Sequence, residues 1–350
     1  MKILFYAKRN LHLPHLEPIR QWFVKHHPEV ECVYSSPPYS PSLEGFPGQG
    51  LTTEQISGLV STGVNWIPEA SINSWKPEVT VLADADFGGI SWGGKIVNVN
   101  HGLISKGTFY THSPVVQREH GADLICVPGP YHYEILKDVI HRKIVVTGLV
   151  KFDSYFRGEM TKASTRAALG IEGLEKVVLF APTYNIELSA IPVVTDKIRR
   201  ITKNSAHLLI KLHGMSPPAW RELYKLLSLV DEHIHYIQDT DLTTGLIAAD
   251  VVISDVSSAF MEAMAIDRPV VLVNNPLQTL FAHYDPCDIE YAWRDVGLQA
   301  NTVEEMLAAV KRSLRFPEEK AALRRHYGPQ LIGSGDGKAA ERIGKAILAM

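Results

Sequence analysis

Short, continuous runs of apolar and β-branched residues recur along the whole chain, and they constrain its fold more than any other feature. Helical patterns and Gly, Pro and Asp residues separate them. Runs that are apolar throughout are typical of parallel strands buried on both faces of a sheet. The predicted strands are Lys2–Ala7, Glu31–Ser35, Val79–Ala83, Lys95–Val99, Leu124–Val127, Ile144–Thr147, Lys176–Phe180, His207–Leu212, His235–Gln238, Asp250–Ile253 and Pro269–Val273.

The order of these runs predicts an α/β fold with two domains. Strands that alternate with helices form parallel, doubly wound sheets with right-handed crossovers. A chain of 350 residues is long enough for two domains of about 150 residues each. We therefore expect Rossmann-like domains over residues 1–155 and 156–330, joined near Phe152–Ala168. A C-terminal helix in residues 331–350 should pack back on the first domain, and Ser35–Gly50 is predicted to be a long loop without assigned chemistry.

Composition narrows the class of protein. The net charge of −3 and the pI of about 6.6 give no general attraction for nucleic acid. Cys32, Cys126 and Cys287 are widely spaced, which favours a reducing compartment over a disulfide framework. No apolar run reaches the roughly 18 residues of a spanning helix.

We therefore expect a cytoplasmic protein, or one peripheral to the inner face of a membrane. Two tryptophans that stand near basic residues are candidates for such membrane contact: Trp22 near Lys25, and Trp220 beside Arg221.

Several familiar sequence motifs are absent. The chain has no G-x-G-x-x-G after its first strand and no G-x-x-x-x-G-K-[ST], which disfavours a dinucleotide oxidoreductase and a P-loop enzyme. It has no G-x-S-x-G nucleophile motif, no H-E-x-x-H and no cysteine-rich zinc pattern. No metal site and no cofactor are therefore predicted.

The first candidate site follows the strand predicted at Lys95–Val99. His101 and Gly102 stand at its end, with Lys106 in the same loop. Ligands bind beyond the carboxyl ends of strands in such sheets, and a histidine there can act as a general base near neutral pH. The alternative is a loop histidine that bonds a neighbouring carbonyl.

A second candidate site repeats this arrangement in the second domain. There the predicted strand leads through Lys211 to His213 and Gly214. Two domains that each present a histidine at the same topological place could serve one reaction. The alternative is two unrelated surface histidines among the 15 in the chain.

The third candidate site is a polar cluster after the strand predicted at Asp250–Ile253. Free N–H groups and the dipole at a helix N-terminus attract anions, and serine hydroxyls add donors, so the cluster predicts a diphosphate site. Simple helix capping is the alternative. The cluster contains Ser254, Asp255, Ser257 and Ser258, and weaker supporting signals come from Thr183, Thr243 and Thr244.

These segments together resemble the CDP-glycerol glycerophosphotransferase family, the teichoic acid primases and polymerases. The resemblance covers roughly residues 95–275 and implies a GT-B fold, in which two Rossmann-like domains face each other across a central cleft. The segments that carry it are His101-Gly102-x-x-x-Lys106-Gly107, Val178-Leu179-Phe180-Ala181-Pro182-Thr183-Tyr184, Ile210-Lys211-Leu212-His213 and Ile253-Ser254-Asp255-Val256-Ser257-Ser258.

The resemblance also implies an activity. Such an enzyme transfers glycerol phosphate, or a related alditol phosphate, from a CDP-activated donor to a hydroxyl of a surface polymer or lipid-linked acceptor, and it releases CMP. By this likeness His101 deprotonates the acceptor and His213 stabilises the donor phosphate. The Ser254, Asp255, Ser257 and Ser258 positions hold the phosphates, and no cofactor is implied.

The sequence departs from the family pattern at Asn100, Gly214 and Val256, which leaves open the acceptor and the donor, whether CDP-glycerol, CDP-ribitol, another CDP-alditol or a nucleotide sugar. Two other readings remain. One is a GT-B glycosyltransferase or a UDP-sugar 2-epimerase, and the other is a non-catalytic subunit that binds nucleotide sugars. A divalent-metal requirement and the oligomeric state are also left open.

Overall fold

The structure is a computed structural model that describes residues 1–41, 48–84, 92–104, 106–112, 114–173, 175–204, 206–238 and 241–350. Residues 42–47 of the predicted Ser35–Gly50 loop lie outside the described residues. The chain divides into two compact units. The first unit comprises residues 1–103, 110–157 and 332–350, and the second unit comprises residues 104–109 and 158–331.

A parallel six-stranded sheet forms the centre of the first unit, with the order β2-β1-β3-β4-β5-β6. Its strands are β1 (Lys2–Tyr6), β2 (Glu31–Ser35), β3 (Val79–Leu82), β4 (Lys95–Asn98), β5 (Leu124–Val127) and β6 (Lys143–Val146). Each was predicted from its apolar run, with ends that differ by at most one residue. The β1, β3 and β4 strands are neighbours, so their carboxyl ends lie side by side.

A second parallel six-stranded sheet, with the order β12-β11-β10-β7-β8-β9, forms the centre of the second unit. Its strands are β7 (Lys176–Phe180), β8 (Ala206–Ile210), β9 (Ile234–Tyr236), β10 (Val251–Ser254), β11 (Val270–Val273) and β12 (Leu298–Ala300). The sequence analysis missed β12, because this three-residue edge strand has no continuous apolar run. Leu298 is only partly buried and Gln299 is exposed.

Helices connect the strands in both units. Those of the first unit and of the link into the second are α1 (Leu13–His26), α2 (Thr53–Ser61), α3 (Ile72–Trp75), α4 (Gly107–His112), α5 (Pro114–Arg118), α6 (Pro130–Leu136) and α7 (Asp153–Phe156). The later ones are α8 (Lys162–Ala168), α9 (Ile191–Val194), α10 (Pro218–Val230), α11 (Thr243–Ala248), α12 (Ser258–Ala265), α13 (Ile289–Ala292), α14 (Val303–Arg315), α15 (Ala321–Ile332) and α16 (Ala339–Leu348).

The last helix, α16, packs against α1 of the first unit. A Cβ atom at Gly344 would lie 2.2 Å from ring carbons of Trp22, so only glycine permits this close approach. The buried carboxylate of Asp153 accepts hydrogen bonds from the N–H groups of Ala339 at 3.0 Å and Ala340 at 2.8 Å. These contacts anchor the start of α16, and they place Trp22 inside the α1–α16 packing.

Apolar side chains fill both faces of each sheet. Phe5, Val81 and Leu124 are fully buried in the first core, and Val178 and Ile253 in the second. Burial of this kind stabilises by about 25 cal/mol per Å² of apolar surface. No helix in the described part of the chain is both long and apolar enough to cross a membrane.

Candidate functional site

His101 lies in the first unit, three residues beyond the end of β4. Its Nδ1 atom lies 2.7 Å from the carbonyl oxygen of Ala83, the residue that follows β3. A carbonyl can only accept, so this contact assigns the proton of the neutral ring to Nδ1. The Nε2 atom then carries a lone pair, which is the arrangement that a general base needs. The two readings of His101, carbonyl bonding and base catalysis, therefore use different nitrogen atoms of the same ring.

The turn that carries His101 is braced by buried polar groups. Asn100 has a left-handed φ of 55°, a conformation in which asparagine is enriched. Its N–H donates to Oδ1 of the buried Asn98 at 2.9 Å, and Nδ2 of Asn98 donates to Glu119 at 2.8 Å. Gly102, with φ 151°, completes the turn. Glu119 was not singled out from the sequence, since its role depends on a contact 21 residues away.

The surroundings keep the His101 ring neutral at pH 7. Desolvation by the surrounding protein is the largest cause and lowers the pKa of His101 below its ordinary value of 6.5. The Asp84 carboxylate and the Ala83 hydrogen bond act in the opposite direction. The His101 residue nevertheless remains exposed to solvent. A neutral, accessible imidazole is ready to accept a proton.

Three further side chains that the sequence analysis did not select surround His101. The fully buried ring of His12 stacks on the His101 ring, with centroids 5.3 Å apart and an interplanar angle of 23°. Asp84 follows Ala83, and its Oδ2 lies 3.8 Å from Nε2 of His12. The Arg9 guanidinium forms an ion pair with Asp84. His101 was selected because it follows a predicted strand, and this strand-end rule would also have selected Asp84. His12 does not directly follow a predicted strand, so the rule does not select it.

The second unit gathers polar residues at the ends of its adjacent strands β10, β7 and β8. Asp255 directly follows β10, and its carboxylate accepts hydrogen bonds from the N–H groups of Thr183 at 3.0 Å, Ala190 at 2.8 Å and Ser257 at 3.0 Å. Ser254 donates from Oγ to the carbonyl of Ala181 at 2.7 Å.

Both Ser254 and Asp255 are fully buried. Burial raises the pKa of Asp255 to about 6, against the opposing effect of its backbone donors and of Arg294. The carboxyl is therefore ionised at pH 7. The geometry gives these two residues a supporting role, because their oxygen atoms hold the loops that follow β7 and β10.

Ser257 and Ser258 occupy the start of α12 and remain partly exposed. Ser257 is the N-cap, and its Oγ accepts from the N–H of Ala259 at 3.3 Å. Helix capping, the alternative reading of this cluster, is therefore present. The N–H groups of a first helical turn also favour an anion, so capping and phosphate binding are compatible here.

His213 lies beyond β8 with its side chain exposed. Its ring packs against Tyr184, with centroids 4.7 Å apart. Its Nδ1 atom accepts a hydrogen bond from the N–H of Met215 at 3.1 Å, which assigns the proton of the neutral ring to Nε2. Nε2 of His213 is thus a hydrogen-bond donor, whereas Nε2 of His101 is an acceptor.

Arg294 is a buried cation that the sequence analysis missed. It donates to the carbonyl of Asp255 at 2.9 Å and to Oδ1 of Asn274 at 2.6 Å. Desolvation lowers its pKa to about 10, so it keeps its charge at pH 7. This charge lies beside the loop that leads into α12, where it favours an anion. An isolated arginine before β12 offers no motif that could have identified it.

The other predicted residues are more dispersed. The N–H of Lys106 donates to Glu290 at 2.9 Å, and Lys211 donates from Nζ to the carbonyl of Leu212 at 2.9 Å. Thr243 is buried and Thr244 partly exposed at the start of α11. Both threonines follow the edge strand β9, which stands three positions along the sheet from β10.

Comparison with known proteins gives a family match. The model of the family described as CDP-glycerol:poly(glycerophosphate) glycerophosphotransferase matches residues 100–349, which is more than half of the chain. The matched range contains both histidines and the serine cluster. A search of the curated proteins gives no match.

Solved structures confirm the fold class. A variant of the wall teichoic acid polymerase TagF soaked with CDPG aligns with a TM-score of 0.73 at 14% identity, over 99% of this chain and 88% of that one. The UDP-GlcNAc 2-epimerase from Neisseria meningitidis bound to UDP-GlcNAc aligns with a TM-score of 0.61 at 14% identity, over 100% of both chains. The prediction of an α/β, GT-B class is therefore confirmed.

Proposed function

Since this chain belongs to the CDP-glycerol:poly(glycerophosphate) glycerophosphotransferase family and transfers glycerol phosphate from CDP-glycerol, we propose that its two units divide this chemistry between them. The first unit supplies the base and the second unit holds the donor. The observation that carries the proposal is the different hydrogen bonding of Nδ1 in the two histidines. Nδ1 of His101 faces the Ala83 carbonyl, which makes Nε2 an acceptor, and Nδ1 of His213 accepts from the N–H of Met215, which makes Nε2 a donor.

In the proposed reaction, Nε2 of His101 takes the proton of an acceptor hydroxyl. The hydroxyl oxygen forms a bond to the glycerol-bearing phosphorus atom, and the bond from that phosphorus to the CMP oxygen breaks. The hydroxyls of Ser257 and Ser258, the N–H of Ser258, the charge of Arg294 and Nε2–H of His213 stabilise the negative charge on the phosphates. Fixed donors of this kind are the main source of catalysis in phosphoryl transfer.

Donor binding tests this assignment. The double variant Ser257→Ala/Ser258→Ala should bind CDP-glycerol at least about tenfold more weakly, because a hydrogen bond to a charged group contributes about 1.5–3 kcal/mol. The measurement is calorimetric titration with CDP-glycerol, CDP-ribitol, CDP and UDP-GlcNAc. Thr52→Ala is the matched control: Thr52 caps α2 in the first unit, so the variant loses a cap and should keep donor affinity. Tight binding of UDP-GlcNAc without a response to either CDP-alditol would contradict the donor class.

The pH dependence of transfer tests the role of His101. Protonated Nε2 cannot accept a proton, so the rate falls as pH drops through the pKa of the free enzyme. Because desolvation lowers this pKa, the acid limb of kcat/KM should lie below pH 6.5. Asp84→Asn removes a negative charge that raises the pKa, so it should move the limb to still lower pH. A wild-type limb above pH 6.5 would count against His101 as the base.

The acceptor that we propose is a hydroxyl of a teichoic acid polymer, or of its lipid-linked precursor. A lipid-linked acceptor would require peripheral contact with a membrane. Trp22 and Trp220 are both partly buried and pack against the cores of their units, and they are the tryptophan candidates for that contact. Co-sedimentation with liposomes tests this, and recovery of all the protein in the supernatant would argue against it.

A further inference from the structure

Three side chains with metal-binding atoms converge at the carboxyl edge of the first sheet. His12 follows β1, Asp84 follows β3 and His101 follows β4, and these three strands are neighbours. One ligand atom from each residue lies within 4.8 Å of the corresponding atoms of the other two. The chain therefore brings two imidazoles and a carboxylate together from segments that are far apart in sequence.

The buried state of His12 points to a missing ligand. Its side chain has no exposed surface, yet neither ring nitrogen has a hydrogen-bond partner among the described residues. Buried polar groups are nearly always paired, because an unpaired one costs free energy. The Asp84 oxygen at 3.8 Å from Nε2 is too far for a hydrogen bond. A ligand at this point would satisfy one of the two ring nitrogens.

We propose that His12, Asp84 and His101 form a binding site for a divalent transition-metal ion of the Zn²⁺ or Co²⁺ type. Two imidazole nitrogens and one carboxylate oxygen suit these ions better than Mg²⁺ or Ca²⁺, which prefer oxygen ligands. Three protein ligands leave one tetrahedral position for water.

The surrounding contacts support this ligand set. The Ala83 carbonyl holds Nδ1–H of His101 and so directs Nε2 to the metal. Arg9 pairs with the Asp84 carboxylate and orients it. Partners of this kind commonly fix the ligands of metal sites.

The site has a consequence that rests on the proposed function. The Nε2 lone pair of His101 can bind a metal or accept a proton, but it cannot do both. Occupation of the site therefore removes the base, and the metal acts as a reversible inhibitor of transfer.

Titration with CoCl₂ in the absence of donor and acceptor tests the site itself. Visible absorption bands of bound Co²⁺ should saturate at one equivalent per chain. His12→Asn and Asp84→Asn should each weaken this binding by at least about tenfold, since loss of even an indirect partner of a metal ligand costs 10- to 100-fold. Asp84→Asn keeps the buried His12 ring, so it remains informative if His12→Asn fails to fold.

The control addresses a second group of histidines. In the second unit, Nδ1 of His207 lies 2.9 Å from Nε2 of His235, a pair that could also bind the probe. His235→Asn should leave the saturating Co²⁺ signal unchanged. The metal site is refuted if the wild type shows no saturable binding of Co²⁺. It is also refuted if His235→Asn abolishes Co²⁺ binding while His12→Asn and Asp84→Asn both retain it.

The inhibitory role is measured separately, as transfer with and without one equivalent of ZnCl₂. The rate of wild-type transfer should fall when zinc is added and recover on addition of a chelator. In Asp84→Asn, the rate with zinc should be closer to the rate without zinc. Zinc binding without inhibition would overturn the inhibitory role. If the protein shows no transfer activity and still binds one equivalent of Co²⁺, the proposed function is contradicted but the metal site is not.

Discussion

Replacing His101 with alanine should lower the rate of glycerol phosphate transfer by about 10²- to 10⁴-fold, the usual loss on removal of a positioned general base. The lost group is the Nε2 lone pair, which the hydrogen bond from Nδ1–H to the Ala83 carbonyl leaves available. The measurement is steady-state release of CMP with a saturating acceptor. Donor affinity by calorimetry should be retained, because the proposed phosphate contacts lie in the second unit.

His141→Ala is the matched control for this experiment. His141 is an exposed histidine of the first unit that lies just before the edge strand β6, at the amino end of the parallel strands, whereas His101 lies beyond their carboxyl ends. Its removal should leave the transfer rate near that of the wild type. An unchanged rate in His101→Ala, or an equal loss in both variants, would show that His101 is not the base.

Replacing Asp255 with alanine should lower the free energy of unfolding by about 3 kcal/mol or more. The substitution leaves the buried N–H groups of Thr183 and Ala190 and the partly buried N–H of Ser257 without their acceptor, and each unpaired buried donor costs about 1–3 kcal/mol. Burial disfavours the carboxylate and raises its pKa to about 6, so relief of this cost offsets part of the loss. The free-energy cost of three lost hydrogen bonds should exceed the free energy gained by no longer burying one charge. Denaturant titration measures the difference.

Asp255→Asn separates the hydrogen bonds from the charge. The remaining oxygen can still accept from Thr183 and Ser257, while the amide nitrogen faces the N–H of Ala190. An intermediate loss of about 1–2 kcal/mol is expected. Asp285→Ala is the control, because the carboxylate of Asp285 accepts from the backbone N–H of Cys287 in an exposed turn. A stability of Asp255→Ala equal to that of Asp285→Ala would contradict the supporting role of Asp255.

Most of the proposed site residues follow predicted strands, so they could be selected from the sequence. His101, His213 and Ser257 each follow an apolar run, and the runs form strands where predicted. The strand-end rule does not indicate which of several residues that follow one strand can contact a ligand. After β10, Ser254 and Asp255 turn inwards and are buried, whereas Ser257 and Ser258 remain partly exposed. Which of them can contact a ligand depends on the path of the chain between β10 and α12.

Apart from β12, the sequence by itself determined the strands, their parallel character and the strand ends at which we propose that ligands bind. Those properties follow from local patterns: a continuous run such as Val178–Phe180 must be buried on both faces, wherever it lies in the sheet. Tertiary structure alone decided which strand ends are neighbours and what each side chain bonds. The Ala83–His101 hydrogen bond spans 18 residues and the Asp255–Thr183 bond spans 72. The protonation of His101, the burial of Asp255 and the convergence of His12 and Asp84 arise from such contacts, because packing places these groups together and no local pattern encodes it.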